Sequence, residues 1–124
     1  MNSVRVGIER SLYGHDIYVY DVYDLSRETL RIWQDDIKTI DDGCGMSKRI
    51  YDLSYLNHIS IHSIRALRRV LPIDNSCPVA VAVVMPNPTV WGLLDRAMSS
   101  LPKQQEVRAV TSRLEAVLWL RHLR

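Results

Sequence analysis

His58 and His62 stand four residues apart, the spacing at which two imidazoles on one helical face can share a metal ion. No Cys, Asp or Glu follows at a partner spacing, and catalytic zinc usually takes three protein ligands, so no metal or other cofactor is expected. Ser60 and Ser63 lie beside His62, but an acidic orienter and a Gly-rich elbow are missing, so a nucleophilic triad is not expected either. Arg65, Arg68 and Arg69 follow at i, i+3 and i+4. Guanidinium groups so placed suit an acidic partner or a phosphate-bearing ligand, although a solvated helix face carries the same pattern. The pairs Asp35-Asp36 and Asp41-Asp42 flank a helix end and a turn, where Asp hydrogen-bonds locally, and imply no paired-carboxylate mechanism. The expected working surface is therefore Asn57, His58, Ser60, Ile61, His62, Ser63 and Arg65, for binding a partner or ligand.

The surrounding pattern must position that surface. Val4, Val6 and Ile8 alternate with polar residues as a half-buried strand does, and Tyr13-Gly14-His15-Asp16 turns the chain into a second alternating strand, Ile17 to Tyr23. The two form a hairpin. Tyr18 and Tyr20 share one face, so that row of phenols faces outward or lines a cavity, either as an interface or in cross-strand packing. Ser26 caps a helix whose apolar stripe is Leu30, Trp33, Ile37 and Ile40, and Asp41 to Gly45 ends it.

Arg49 to Leu53 is a short strand, followed by a polar connection into a helix from Ile61 to Leu71 that points Ile64, Leu67 and Leu71 inward. Pro78 to Met85 is a β-branched apolar run suited to a strand covered on both faces. Asn87-Pro88 starts a helix reaching Leu101, on which Trp91 faces outward as an interface anchor. Val107 to Val110 is a last strand, and Ser112-Arg113-Leu114-Glu115 is a capping box opening a helix buried through Leu114, Val117, Leu118 and Leu120. The fold class is α/β: a mixed open sheet of about five strands, an N-terminal hairpin followed by alternating helix and strand, and about four helices.

Composition sets the bounds. The 124 residues fit one domain, and 47% hydrophobic with 24% charged residues is ordinary globular usage, so a single core is expected. A net charge of +2, with 16 Lys and Arg interleaved among 14 Asp and Glu, leaves no phosphate-tracking stripe, which disfavours nucleic acid. The longest apolar run, Pro78 to Met85, is far short of a membrane span, and Met1 to Arg10 lacks a signal peptide's apolar centre, so a cytoplasmic protein is expected. Cys44 and Cys77 each precede a strand, which in a parallel sheet puts both thiols at one end.

Tyr51-Asp52-Leu53-Ser54, His58 to Ser63, Ala66-Leu67, the strand Pro78 to Val84, Pro88 with Val90 and Leu93-Leu94, and the ending Val107 to Leu120 together resemble the STAS family, the fold of anti-sigma-factor antagonists and sulfate-transporter tails. In phosphorylatable members the loop after this strand reads Asp-Ser-Ser/Thr-Gly, the first Ser accepting phosphate from a partner kinase. Here Ser60 takes the place of that Asp, Ile61 the acceptor Ser, His62 the next hydroxyl residue and Ser63 the Gly. Ile61 removes the acceptor unless Ser60 or Ser63 substitutes. The ending Thr111 to Leu120 is similar to bacterial proteins that resemble both STAS and CRAL-TRIO lipid-transfer domains. The resemblance implies a non-enzymatic protein-interaction or regulatory module, in a homodimer or with another protein partner. The alternative is a carrier of a small apolar, lipid-like ligand enclosed by apolar residues and tyrosines.

Overall fold

The structure, a computed structural model, describes residues 7–40, 46–56, 59, 61–71, 78–85, 87, 92 and 105–123, without the side chains of Ile61 and Gln105. Five strands form one sheet in chain order: β1 (Ile8–Tyr13), β2 (Ile17–Val22), β3 (Ser47–Asp52), β4 (Val79–Val84) and β5 (Gln105–Val110). β1 pairs antiparallel with β2, and every later neighbour is parallel. The helices described are α1 (Arg27–Ile37), α2 (Ile61–Leu67), which tightens into a 3-10 turn at Arg68–Val70, and α3 (Arg113–His122). The mixed α/β sheet, its N-terminal hairpin and the alternation that follows agree with the sequence. The helix expected from Asn87 to Leu101, apart from Asn87 and Gly92, lies outside the described residues, as do Val4, Val6, Cys44, Cys77 and Trp91.

Strand periodicity divides the sheet into two faces. Tyr20, Val22, Tyr51, Leu53, Val81 and Val83 point to the side of α1 and α2, where they pack with Leu30, Trp33, Ile64 and Leu67. Ile17, Val19, Ile50, Ala80, Ala82 and Val84 point to the other side and meet Ala116, Val117 and Leu120 of α3. β4 is buried on both faces, as its unbroken apolar run requires. Its alanines, all on the α3 side, leave room for that helix to lie close.

The tyrosine row of β2 takes the cross-strand packing alternative: Tyr20 stands opposite Tyr51 of β3 and packs against its ring instead of facing outward. Tyr20 is fully buried, and its ring meets Trp33 and Tyr51 at 5.6 and 5.7 Å, with Trp33 and Tyr51 4.8 Å apart. Burial is possible because each phenol finds an acceptor: Tyr20 donates to the Asp36 carboxylate at 2.7 Å and Tyr51 to the Val70 carbonyl at 2.7 Å. Desolvation, reinforced at Tyr20 by the bond to Asp36, pushes both phenols above their ordinary pKa. Asp36 in turn pairs with Arg10 at 3.2 Å, tying β1 to α1. Tyr18 is half-buried beneath the Arg10 guanidinium.

The last helix corrects an expectation. Ser112 caps it by accepting the Glu115 amide, but the Glu115 carboxylate accepts the amide and hydroxyl of Thr111 instead of closing the box on Ser112. Those two bonds hold the Glu115 carboxyl below its ordinary pKa. Ala116, Val117 and Leu120 are buried, whereas Leu114 and Leu118 are 69% and 60% exposed. The 116/117/120 stripe is the one that meets the alanines of β4, and Leu114 and Leu118 stand about 110° and 150° around the helix from its centre.

Gly7 closes the hairpin onto α1. Its φ of +82° is a region open mainly to glycine, and a Cβ there would lie 2.2 Å from the Thr29 hydroxyl and 2.5 Å from the Asp24 carboxylate. Its carbonyl accepts the Tyr23 amide at 2.7 Å. The chain is thereby delivered to the α1 cap in one orientation.

Candidate functional site

The α1 entry is fixed by a small polar network. Ser26 caps the helix by accepting the Thr29 amide at 3.2 Å, and Asp24 accepts the Ser26 amide at 3.0 Å and the Thr29 hydroxyl at 2.5 Å. Partial burial acts to raise the Asp24 carboxyl, but these donors outweigh it and hold the group below its ordinary value. Leu25 and Arg27, on either side of the cap, are thus held at the mouth of α1.

α2 is fixed from beneath by Ile64 and Leu67, both buried. Its following turn is tied down where the Gln34 amide donates to the Arg69 carbonyl at 2.7 Å and Tyr51 donates to the Val70 carbonyl. The residues His62, Arg65, Ala66 and Arg69 recur at i, i+3, i+4 and i+7, which is one helical stripe. That stripe faces the start of α1. Between them runs an open groove of about 290 Å³, lined by Leu25, Arg27 and Leu30 on one side and by His62, Arg65, Ala66 and Arg69 on the other.

The charge of this groove is one-sided. Three guanidinium groups and an imidazole line it, and no carboxylate does among the described residues. Arg10, Lys38, Lys48 and Arg113 form ion pairs, whereas Arg27, Arg65 and Arg69 form none among the described residues. Guanidinium donates only and stays protonated, so the groove is equipped to hold an anionic group by paired N–H donors while an aliphatic group rests on Leu25, Leu30 and Ala66.

Of the residues expected at the working surface, His62 and Arg65 line this groove and are exposed. Ser63 is half-buried and does not line it. Asn57, His58, Ser60 and the side chain of Ile61 lie outside the described residues. Arg69 was legible as part of the arginine stripe. Leu25, Arg27 and Leu30 were not assigned to a site, because only the tertiary pairing of α1 with α2 brings them there; the one local signal was the position of Arg27 directly after the cap.

A second cluster sits at the carboxyl ends of β2 and β3, where open α/β sheets bind ligands. Arg113 donates from Nε to Asp52 Oδ2 at 2.8 Å and from Nη2 to Asp21 and, at 3.4 Å, to the Tyr55 hydroxyl. The other oxygen of Asp52 accepts the Ser54 amide at 2.9 Å and its hydroxyl at 2.6 Å. Both carboxylates are engaged by the first residue of α3. The cluster is a clamp holding that helix across the sheet, and the Tyr51-Asp52-Leu53-Ser54 motif has its role there.

Compared with protein-family models, curated proteins and solved structures, the chain matches none of them. No helix among the described residues is long and apolar enough to cross a membrane.

Proposed function

We propose that this chain is a non-enzymatic protein-interaction module of the cytoplasm, and that it docks its partner in the groove between α1 and α2. The observation carrying the reading is the convergence of Arg27, Arg65 and Arg69, with His62, over an apolar floor and without ion pairs among the described residues. Charged side chains held on two rigid helices and left to solvent contribute little to folding. They gain most when a partner excludes water around them. The STAS-like sequence pattern supports the same side of the molecule, since in that family the loop before this helix receives the partner kinase.

The test is capture from source cells by the immobilised full-length chain, in parallel with a His62→Glu/Arg65→Glu variant. A protein retained by the wild type and lost by the variant, and then reconstituted from purified components, is the expected result. Finding no specific partner, together with sedimentation as a monomer at every concentration, would refute the proposal. Native mass spectrometry showing a copurified lipid would replace it with the carrier reading.

A further inference from the structure

We infer that the segment seated in this groove is an acidic stretch of a partner polypeptide carrying one aliphatic side chain, a statement that rests on the docking reading above. Three features of the groove lead to it. First, Arg27, Arg65 and Arg69 line one recess of about 290 Å³ from opposite sides, so their positive potentials overlap; at physiological ionic strength salt screens exposed charges mainly beyond about 8 Å. Second, among the described residues no acidic side chain lines the groove to neutralise them, so an incoming carboxylate displaces none of them. Third, Leu25, Leu30 and Ala66 form an aliphatic floor that an inorganic anion would leave uncovered.

Other anionic occupants fit less well. A single-stranded nucleic acid is held by stacking on aromatic rings as well as by charge, and among the described residues no Tyr, Trp or Phe lines the groove. A lipid surface is flat at this scale, whereas the guanidinium groups flank a recess of about 290 Å³. That volume lies at the small end of ligand clefts, which suits one side chain with its flanking carboxylates.

The probe is a short fluorescent peptide of Glu and Asp around one central Leu, compared with its Gln/Asn counterpart and with vesicles of phosphatidylcholine and phosphatidylserine. Anisotropy gives affinity, and amide shifts of the full chain give location. The acidic peptide is expected to bind with shifts confined to Leu25–Leu30 and His62–Arg69. Its affinity should fall steeply with salt, and the neutral peptide should bind at least about tenfold more weakly. Arg65→Gln and Arg69→Gln should each weaken it about five- to tenfold without moving the thermal midpoint.

Equal affinity for the two peptides, no binding by either, shifts outside the groove, or binding to the vesicles in preference to the peptide would each overturn the inference. If the acidic peptide fails while a cellular partner is still lost on charge reversal at His62 and Arg65, the inference falls and the docking reading stands. If the partner survives that reversal, the docking reading falls as well.

Discussion

Replacing Arg113 by Met tests the clamp that fixes α3, and its size follows from which oxygens it leaves bare. Asp52 is 3% exposed. Without Arg113 its Oδ1 keeps both bonds from Ser54, but Oδ2 loses the Nε donor at 2.8 Å, and Asp21 loses its guanidinium contact. Breaking a fully buried ion pair costs about 3–5 kcal/mol. Here the Arg113 side chain is 43% exposed, so water reaches part of the vacated space and a cost of about 2 kcal/mol is expected. For a domain of this size that lowers the thermal midpoint by about 5–10 °C. Removing the stranded charge should recover part of the loss, so Arg113→Met/Asp52→Asn should be more stable than Arg113→Met alone. Urea unfolding followed by tryptophan fluorescence compares the wild type with both variants. A loss below about 0.5 kcal/mol in the single variant, or a double variant no better than it, would refute the reasoning.

Three further outcomes follow from the same geometry. Gly7→Ala should cost about 2–4 kcal/mol, because φ is positive and the new methyl overlaps Thr29 and Asp24; an unchanged denaturation midpoint would contradict the close approach. Leu114→Ser and Leu118→Ser should each change stability by less than about 0.5 kcal/mol, while Leu120→Ala, at a fully buried site, should cost about 2–4 kcal/mol in the same urea experiment. The Asp24 carboxyl is held below its ordinary value of 3.8, so the unfolded chain binds that proton first as pH falls. Its stabilisation is complete above the ordinary carboxylate pKa and is lost as pH drops through the folded value; Asp24→Asn should flatten the stability profile below about pH 5, and an unchanged slope would contradict the network at the α1 cap.

Much of the architecture is local and so was readable from the sequence. The apolar run of β4, the Leu30/Trp33/Ile37 stripe and the caps Ser26 and Ser112 each satisfy a backbone or burial requirement within a few residues, whatever packs against them. What alternation left open is tertiary. Tyr20 is buried because Asp36, sixteen residues on, accepts its hydroxyl, and alternation cannot reveal that acceptor. In α3 apolar residues from Leu114 to Leu120 surround the helix, so periodicity selects no face. The alanines of β4 and the Arg113 clamp select it instead. The site divides in the same way: the His62/Arg65/Arg69 stripe runs along α2 and its 3-10 turn and was visible, whereas Arg27 joins it only across the α1–α2 contact.

That contact makes hydrogen–deuterium exchange of the full chain, alone and with its captured partner, the most direct measurement. Docking in the groove predicts slowed exchange at Arg27–Ile37 and Ile61–Leu67 with the remaining elements unchanged. Protection at the β1 edge or over Leu114 and Leu118, with α1 and α2 unaffected, would contradict the assignment of the groove as the working surface.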